Sequence, residues 1–302
     1  MRVEVKDYVK TIGKATVLDH VSYTFESGKI YGLRGKNGSG KTMLMRAICG
    51  LINPTEGCVC IDGKIIGKDI SFPESAGVLI ENPGFISGYT AFQNLKTIAS
   101  IQNRISDEEI KAVILAVGLD PEDTRKYRKF SLGMKQRLGI GMALVGEPDL
   151  LVLDEPINGL DPQGIAEVRD TIQNLCAQQD MTVFISSHIL EELSKLATDY
   201  GIINNGALLQ EITREELLSK CSEKITLTVD NPNKAVPVLD KMGFVHYMIV
   251  DKNHIDVYER LNDSAALNTA LVTAGVSVAQ LAVTGMELET YFLSITGGAT
   301  NV

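Results

Sequence analysis

The chain has 302 residues, of which 44% are hydrophobic and 22% charged, and its formal net charge at pH 7 is -9. Such a composition is ordinary for a globular protein with one large domain or two unequal ones. The acidic balance argues against a nucleic-acid partner, because phosphate backbones are bound chiefly by Lys and Arg. No apolar run approaches the roughly 18 residues of a membrane-spanning helix.

Cysteine usage and the N-terminal pattern indicate the compartment. Residues 1–7 alternate like a strand and lack the apolar core of a secretory signal, which predicts a cytoplasmic protein. The five cysteines are odd in number and form no CxxC pair, so reduced thiols fit better than disulfides or zinc. Cys58 and Cys60 are separated by one residue, which predicts two thiols on one face of a strand. We expect any membrane role to come through a partner.

The most informative segment is a glycine-rich loop at residues 35–42. It consists of Gly35, Lys36, Asn37, Gly38, Ser39, Gly40, Lys41 and Thr42. Glycine recurs in such loops because a chain wrapped around phosphate needs positive φ angles and room for close approach. In this motif Lys41 reaches the β- and γ-phosphates and the Thr42 hydroxyl ligates Mg²⁺. The loop predicts a nucleoside triphosphate as ligand, with Mg²⁺.

The segments around the loop and farther along the chain complete this prediction. Residues 29–33 are typical of a short buried strand, and residues 43–48 predict an amphipathic helix after the loop. Residues 149–155 form an apolar run that ends in Asp154 and Glu155, as expected of a buried parallel strand whose carboxyl end meets the phosphates. Asp154 is predicted to hold Mg²⁺, and Glu155 to orient and deprotonate the attacking water.

A second anion site is predicted where Ser131 and Gly133 open a helix with free N–H groups. Residues 130–137, just upstream of the strand that ends in Asp154, resemble the signature motif of ATP-binding cassette (ABC) transporter ATPases. Other landmarks follow in the family's order. Residues 156–162 resemble its D-loop, residues 185–188 its switch histidine, and residues 78–85 with 90–95 its Q-loop and the entry to its helical subdomain. The resemblance covers roughly residues 2–215.

The resemblance implies an ATPase in which two cassettes clamp two ATP molecules head to tail. Ser131 and Gly133 would then meet the γ-phosphate of the partner's ATP, and Asp161 would contact the opposite subunit. His188 would bond the γ-phosphate and hold the attacking water in line with Glu155. The family's activity implies ATP and Mg²⁺, a second cassette that is identical or different, and an integral membrane permease. The chain would be peripheral on the inner face of the membrane.

Two motifs depart from the commonest family pattern. Glu81 stands where the Q-loop usually carries Gln; a carboxylate can still reach Mg²⁺, and its added charge predicts tighter dependence on metal. Leu132 and Met134 replace the usual Gly and Gln of the signature, while the groups that contact phosphate remain. Both segments resemble one branch of the family, the cassettes of bacterial lantibiotic and bacitracin exporters, which give resistance or self-immunity.

Two further departures concern the nucleotide itself. Met43 stands where a second hydroxyl usually follows the loop Thr, which removes one side-chain contact to the nucleotide. Ile12 stands where an aromatic residue usually stacks on adenine, so adenine would rest on an aliphatic face unless Tyr8 bends in. We expect binding to depend on the phosphates more than on the base.

The predicted fold is α/β, a P-loop NTPase of the ABC type. The resemblance implies a RecA-like parallel core built from the segments at Tyr31, Leu150 and Val183, an N-terminal antiparallel β-subdomain, and a helical subdomain inserted over about residues 84–145. This ATPase domain is expected to span residues 1–218.

Residues 219–302 predict a small accessory α+β domain, because their β-α-β-β-α-β order is typical of a ferredoxin-like unit. The domain carries no glycine-rich loop or acid cluster, which favours a regulatory or packing appendage over a ligand sensor. His246 and His254 are expected to be exposed or lightly packed rather than metal ligands. The basic run at residues 125–129 is either a solvated segment or a contact surface for a partner.

Three alternatives to a transporter subunit stay open. A soluble ABC-type ATPase of regulation, translation or DNA repair usually has two cassettes or a long coiled coil, and this chain has one cassette and no sustained heptads. A binding module with vestigial hydrolysis would not need Glu155 and His188. A small-molecule kinase would have no use for the signature motif.

Overall fold

The structure is a computed structural model that describes residues 1–81, 83–102, 105–179, 181–221 and 223–297. Asn82 of the Q-loop segment and the last residues of the accessory domain lie outside the described part. The chain divides into two compact units, Met1–Arg214 and Glu215–Val302. This division falls slightly before the predicted boundary after residue 218, at the start of a helix.

The first unit contains ten strands and six α-helices within the described residues. In chain order they are β1 (Val3–Ile12), β2 (Ala15–Phe25), β3 (Ile30–Arg34), α1 (Lys41–Ile48), β4 (Glu56–Ile61), β5 (Lys64–Ile65), β6 (Ala76–Leu79), α2 (Ala91–Gln102), α3 (Asp107–Ala116), α4 (Leu132–Leu144), β7 (Leu150–Leu153), α5 (Pro162–Gln179), β8 (Thr182–Ser187), α6 (Leu190–Leu196), β9 (Asp199–Asn204) and β10 (Ala207–Thr213).

Two sheets organise this unit. An antiparallel sheet in the order β2-β1-β4-β5 forms the N-terminal subdomain. A six-stranded sheet in the order β10-β9-β3-β8-β7-β6 forms the centre, and its strands are parallel except for β10. Every residue of β3, β7 and β8 is buried, as expected of parallel strands covered on both faces. The predicted parallel core is therefore confirmed.

The segment between β6 and β7 is helical and contains α2, α3 and α4. A capping box begins α3: the Glu109 amide donates to the Ser106 hydroxyl at 3.2 Å, and the Ser106 amide donates back to the Glu109 carboxylate at 2.6 Å. The Ser106 amide and the Ser106 hydroxyl both donate to the Glu109 carboxylate and lower its pKa. Ser131 caps α4, because its hydroxyl accepts from the Met134 amide at 3.2 Å.

The basic run at residues 125–129 packs beside the segment that precedes α2. The Arg125 guanidinium donates to both oxygens of Asp123, and the amide of Arg128 donates to the Ser87 carbonyl at 3.1 Å. The Tyr127 ring lies edge-on to the Phe85 ring, with 5.1 Å between centroids. The choice between a solvated segment and a partner surface stays a prediction.

The C-terminal unit begins in the first turn of α7 and has its own sheet and core. Its elements are α7 (Arg214–Cys221), β11 (Lys224–Val229), α8 (Pro232–Met242), β12 (Tyr247–Ile249), β13 (His254–Val257), α9 (Ser264–Thr273), β14 (Val278–Thr284) and α10 (Leu288–Ile295). The sheet is antiparallel in the order β12-β13-β11-β14, and α8 and α9 contribute buried leucines to the core of that sheet. This strand order is that of a ferredoxin-like unit, as predicted.

Cys58, Cys60, His246 and His254 lie on strands or directly next to them. The thiols of Cys58 and Cys60 lie 3.7 Å apart on β4. His246 is exposed, and the Nδ1 atom of His254 lies 2.8 Å from a carboxylate oxygen of Asp251. Within the described residues, no group of three or more His, Cys, Asp or Glu side chains could hold a metal ion. No helix in the described ranges is both long enough and apolar enough to cross a membrane.

Candidate functional site

The glycine-rich loop connects β3 to α1 at the carboxyl edge of the parallel sheet. Because β3, β8 and β7 are parallel neighbours, their carboxyl ends open at the same edge. Glycine is required at two positions of the loop. A side chain at Gly35 would place its Cβ 2.2 Å from the Ser39 hydroxyl, and Gly40 has a φ of 108° at the start of α1. The sequence therefore permits the close wrapping that a phosphate site needs.

Lys41 lies at the centre of the loop and is 5% exposed. Its ammonium donates to the carbonyl oxygens of Gly35 at 2.8 Å and Lys36 at 3.2 Å, and it lies 3.2 Å from Oε1 of Glu155. A buried ammonium is costly unless it is paired, so these three oxygens stabilise its charge. The ammonium thus sits within the ring of backbone that would surround an anion.

The next residue of α1 connects the loop to β7. The Thr42 hydroxyl donates to Oδ2 of Asp154 at 2.6 Å, and the Ser186 hydroxyl donates to Oδ1 of the same carboxylate at 2.5 Å. Ser186 also accepts from the Glu155 amide at 2.9 Å, so one hydroxyl on β8 fixes both acids. A hydroxyl and a carboxylate in contact fit Mg²⁺, which takes oxygen ligands and usually one or two protein carboxylates besides substrate phosphates.

Glu155 and His188 form the second half of this site. Oε2 of Glu155 lies 2.7 Å from Nδ1 of His188, which follows directly after β8. The other carboxylate oxygen contacts the Lys41 ammonium. The backbone of Glu155 has a φ of 49°, in the left-handed region that side chains with branched Cβ atoms avoid. The carboxylate therefore has a fixed position between an ammonium and an imidazole, as a general base requires.

A cavity of about 450 Å³ opens over these groups. Four segments line it: residues 16–17 of β2, residues 37–38 and 40–43 of the loop and α1, Glu155, and residues 205–206 between β9 and β10. Met43 is among the lining residues, as are Asn37, Gly38 and Gly40. The volume and the mixed lining suit a ligand with a charged end and an uncharged end.

Neither Ile12 nor Tyr8, the two residues predicted to contact adenine, is among the residues that line this cavity. Ile12 ends β1, is 52% exposed and is not among the residues that line the cavity, so its contact with a base stays a prediction. Tyr8 is 1% exposed, and its hydroxyl donates to the Ile52 carbonyl at 3.0 Å. Burial raises the pKa of Tyr8 to about 12. The Tyr8 ring is part of the core and does not bend into the cavity.

Glu81 lies just after β6 and pairs with an arginine. Its Oε1 atom is 2.5 Å from Nη2 of Arg46, one helical turn beyond Thr42 on α1. Glu81 has a φ of 64°, and its side chain is 65% exposed. The arginine compensates the charge that replacing Gln by Glu introduces. A role of Glu81 in holding the metal stays a prediction.

The signature residues surround a separate cavity of about 540 Å³. Ser131 and Gly133 line it together with Asp161, whose Oδ1 atom accepts from the Gly164 amide at 2.9 Å. Leu132 is 47% exposed at the same place. This cavity and the one over Lys41 share no lining residue. The two groups of motif residues therefore lie at separate cavities within the described part of the chain.

The structure brings Lys41, Thr42, Asp154, Glu155 and His188 into one connected set, and it separates Ser131, Gly133 and Asp161 from that set. Sequence reasoning missed several residues that shape the first cavity or hold its acids: Thr16, Val17, Ser186, Asn205 and Gly206. Ser186 was visible in the Ser-Ser-His segment. Asn205 and Gly206 form an Asn-Gly pair, which predicts a two-residue turn but not a place in this cavity, and Thr16 and Val17 carry no motif.

Comparisons with known proteins agree with this geometry. The profile of a family described as ABC transporter matches residues 18–158. The bacitracin transport ATP-binding protein BcrA of Bacillus licheniformis is 38% identical over 300 residues, which cover 99% of this chain and 98% of that protein. The lantibiotic transport ATP-binding protein SrtF of Streptococcus pyogenes is 38% identical over 210 residues, which cover 69% of this chain and 90% of that protein.

Solved structures show the same fold. The structure of cbiO1 from Clostridium perfringens superposes with a TM-score of 0.65 at 21% identity, over 72% of this chain and 90% of that chain. A dimeric structure of the cassette MJ0796 superposes with a TM-score of 0.63 at 20% identity, over 70% of this chain and 98% of that chain.

Proposed function

The chain belongs to the ATP-binding subunits of ABC transporters, and we propose that it powers the export of peptide antibiotics of the bacitracin type. Its activity is ATP hydrolysis, coupled to transport through a separate permease. One observation carries the choice of cargo. The bacitracin relative matches 99% of this chain, whereas the lantibiotic relative matches 69%. The first match therefore includes the C-terminal unit, which favours bacitracin over lantibiotics.

For the chemistry, we assign the phosphates of ATP to the loop and to Lys41. An incoming γ-phosphate would draw the Lys41 ammonium away from Glu155, because a phosphate oxygen competes for the same charge. We assign Mg²⁺ to Thr42, Asp154 and Glu81, and when bound it would neutralise phosphate charge. Glu155 would accept the proton of the attacking water. The 2.7 Å contact between Glu155 and His188 supports this role, because it holds the carboxylate in one orientation.

We assign the cavity at Ser131 and Gly133 to the ATP of another cassette. Ser131 and the Gly133 amide would donate to the γ-phosphate bound by the partner, and Asp161 would contact the partner's loop region. Their separate cavity supports this arrangement. The functional unit would then be two cassettes, from this chain or from a related one, docked on an integral permease at the inner face of the membrane.

Antibiotic tolerance tests the cargo. The chain is expressed with the permease that copurifies with it in a bacterium sensitive to both peptide classes. We expect the inhibitory concentration of bacitracin to rise several-fold and that of a lantibiotic to change little. Glu155→Gln is the matched control, because it keeps the shape of the residue and removes the base. Equal tolerance with this variant, or tolerance to the lantibiotic alone, would contradict the proposal.

Dimerisation tests the assignment of the base. Glu155→Gln should lower ATP turnover by roughly 10² to 10⁴-fold and leave ATP binding intact. Because the closed state would no longer be consumed by hydrolysis, the variant should accumulate as an ATP-bound dimer in size-exclusion chromatography. Turnover near that of the unmodified protein would mean that another group takes the proton.

A further inference from the structure

A tight turn between β9 and β10 borders the cavity over Lys41. Asn204 pairs with Ala207, so the loop between the strands consists of Asn205 and Gly206. Both have positive φ angles, 48° and 82°. Asn-Gly is the preferred sequence for such a two-residue turn, because both positions must adopt the left-handed region. The position of Asn205 is therefore fixed by local backbone chemistry.

The turn is also fixed against the phosphate loop. The Gly206 amide donates to the Ser39 carbonyl at 2.9 Å, and the Asp19 amide donates to the Gly206 carbonyl at 2.9 Å. A Cβ atom at Gly206 would lie 2.8 Å from the Val17 carbonyl oxygen, so the backbones are in close contact. The turn, β2 and the loop form one packed junction, and Asn205 stands at its exposed edge.

The residues that this junction adds to the cavity differ chemically from the loop. Thr16, Val17, Asn205 and Gly206 bring no positive charge, whereas the loop and α1 bring backbone amides and Lys41. The Asn205 side chain is exposed and makes no hydrogen bond to any other residue that the structure describes. A carboxamide offers two donors and an acceptor, which suits the hydroxyls of a ribose or the edge of a base better than a phosphate.

From these observations we infer that the Asn205 carboxamide recognises the nucleoside half of the bound ATP and is a specificity-determining residue of this site. The inference rests on the use of the cavity for ATP. The Asn205 carboxamide would take the place of the aromatic ring that usually stacks on adenine, because Tyr8 is buried in the core and Ile12 does not line the cavity. Affinity for the nucleoside would come from one polar group on a rigid turn.

The test compares ATP with inorganic tripolyphosphate, which has the phosphates and lacks the nucleoside. Asn205→Gly removes the carboxamide and keeps the positive φ angle, since glycine adopts it freely. We expect this variant of the full chain to bind ATP about 3- to 10-fold more weakly in isothermal titration calorimetry, as for one lost neutral hydrogen bond. Its affinity for tripolyphosphate should not change. Asn205→Asp should also weaken ATP binding, because the amide donors are lost and a negative charge is added.

Two further measurements separate the explanations. Gly206→Ala places a Cβ against the Val17 carbonyl and should weaken the binding of both ATP and tripolyphosphate. This joint loss is the result expected of a displaced turn. A loss with ATP that is absent with 2′-deoxyATP assigns the contact to the ribose 2′-hydroxyl, and an equal loss assigns it to the 3′-hydroxyl or the base. If Asn205→Gly leaves the affinity for ATP unchanged, or lowers the affinities for ATP and tripolyphosphate equally, the inference is wrong. If the unmodified chain binds neither ligand, the nucleotide function itself fails.

Discussion

Replacing Ser186 with alanine should loosen both acids of the site at once. Ser186 is 0% exposed, and its hydroxyl donates to the Asp154 carboxylate at 2.5 Å and accepts from the Glu155 amide at 2.9 Å. A hydrogen bond to a charged group contributes about 1.5 to 3 kcal/mol and one between neutral groups about 0.5 to 1.5 kcal/mol. We therefore expect the variant to lower the free energy of local opening around Asp154 and Glu155 by about 2 to 4 kcal/mol.

Hydrogen exchange measures this opening at the residue concerned. Because every 1.4 kcal/mol is about tenfold in an equilibrium constant, exchange of the Glu155 amide should accelerate by roughly 30- to 1000-fold. Mass spectrometry of a peptide that covers residues 150–158 reads this rate. ATP binding in the presence of Mg²⁺ should weaken, whereas binding in EDTA should change little, since the lost bond orients Asp154.

Ser187→Ala is the matched control. Ser187 is the next residue of β8 and is equally buried, but its hydroxyl accepts from the Ile189 amide at 3.0 Å and has no bond to Asp154. It should leave exchange at Glu155 and the Mg²⁺ dependence near those of the unmodified chain. If the two variants behave alike in both measurements, Ser186 does not hold the acids and the reasoning fails.

Four other outcomes are expected. Ser131→Arg should block the ATP-dependent dimer in size-exclusion chromatography without weakening ATP binding by the monomer; loss of monomer binding would contradict a trans site. Glu81→Gln should reduce the Mg²⁺ dependence of ATP binding if the carboxylate reaches the metal, and unchanged dependence in calorimetry would remove it from the metal site. Burial raises the pKa of Cys49 to about 12, so at pH 8 its thiolate is about 1000-fold scarcer than that of an ordinary thiol. Peptide mapping after treatment of the folded protein with iodoacetamide should therefore find Cys49 unmodified. Ready alkylation of Cys49 would contradict its burial. The bonds of the α3 cap lower the pKa of Glu109, so they stabilise the folded state fully above the ordinary Glu pKa, near 4.3, and this stabilisation is lost as pH falls through the lowered pKa. In urea unfolding, the stability advantage of the unmodified chain over Glu109→Gln should shrink below about pH 4.3. A difference that stays constant with pH would contradict this prediction.

Much of this fold could be predicted because its strongest signals are local. The loop at residues 35–42, the apolar strand before Asp154 and the serine cap of α4 each act through neighbours in the chain. The strand order of the C-terminal unit could be predicted for a similar reason, because a β-α-β-β-α-β order restricts how the strands can pair.

The rest of the site depends on contacts between distant segments. The Asn-Gly sequence predicts a turn at Asn205, but it does not show that this turn reaches the cavity, and neither does the strand sequence around Thr16. Arg46 and Glu81 are 35 residues apart in the chain and meet only in the folded protein. For the two serines before His188, the alternation of side chains along β8 decides which one faces Asp154. The sequence shows both serines, but only the pairing of β8 in the sheet determines which hydroxyl contacts Asp154.

The left-handed backbone of Glu155 has a consequence for mutational tolerance. At a φ of 49°, Asn, Asp, Gln and Gly fit at modest cost, whereas Val, Ile and Thr add backbone strain to any chemical loss. In a saturation library, variants of this one position should therefore divide into two classes, one that is stable and inactive and one that is poorly expressed and inactive. Abundance and transport, scored separately, would distinguish a residue required for chemistry from one required for folding.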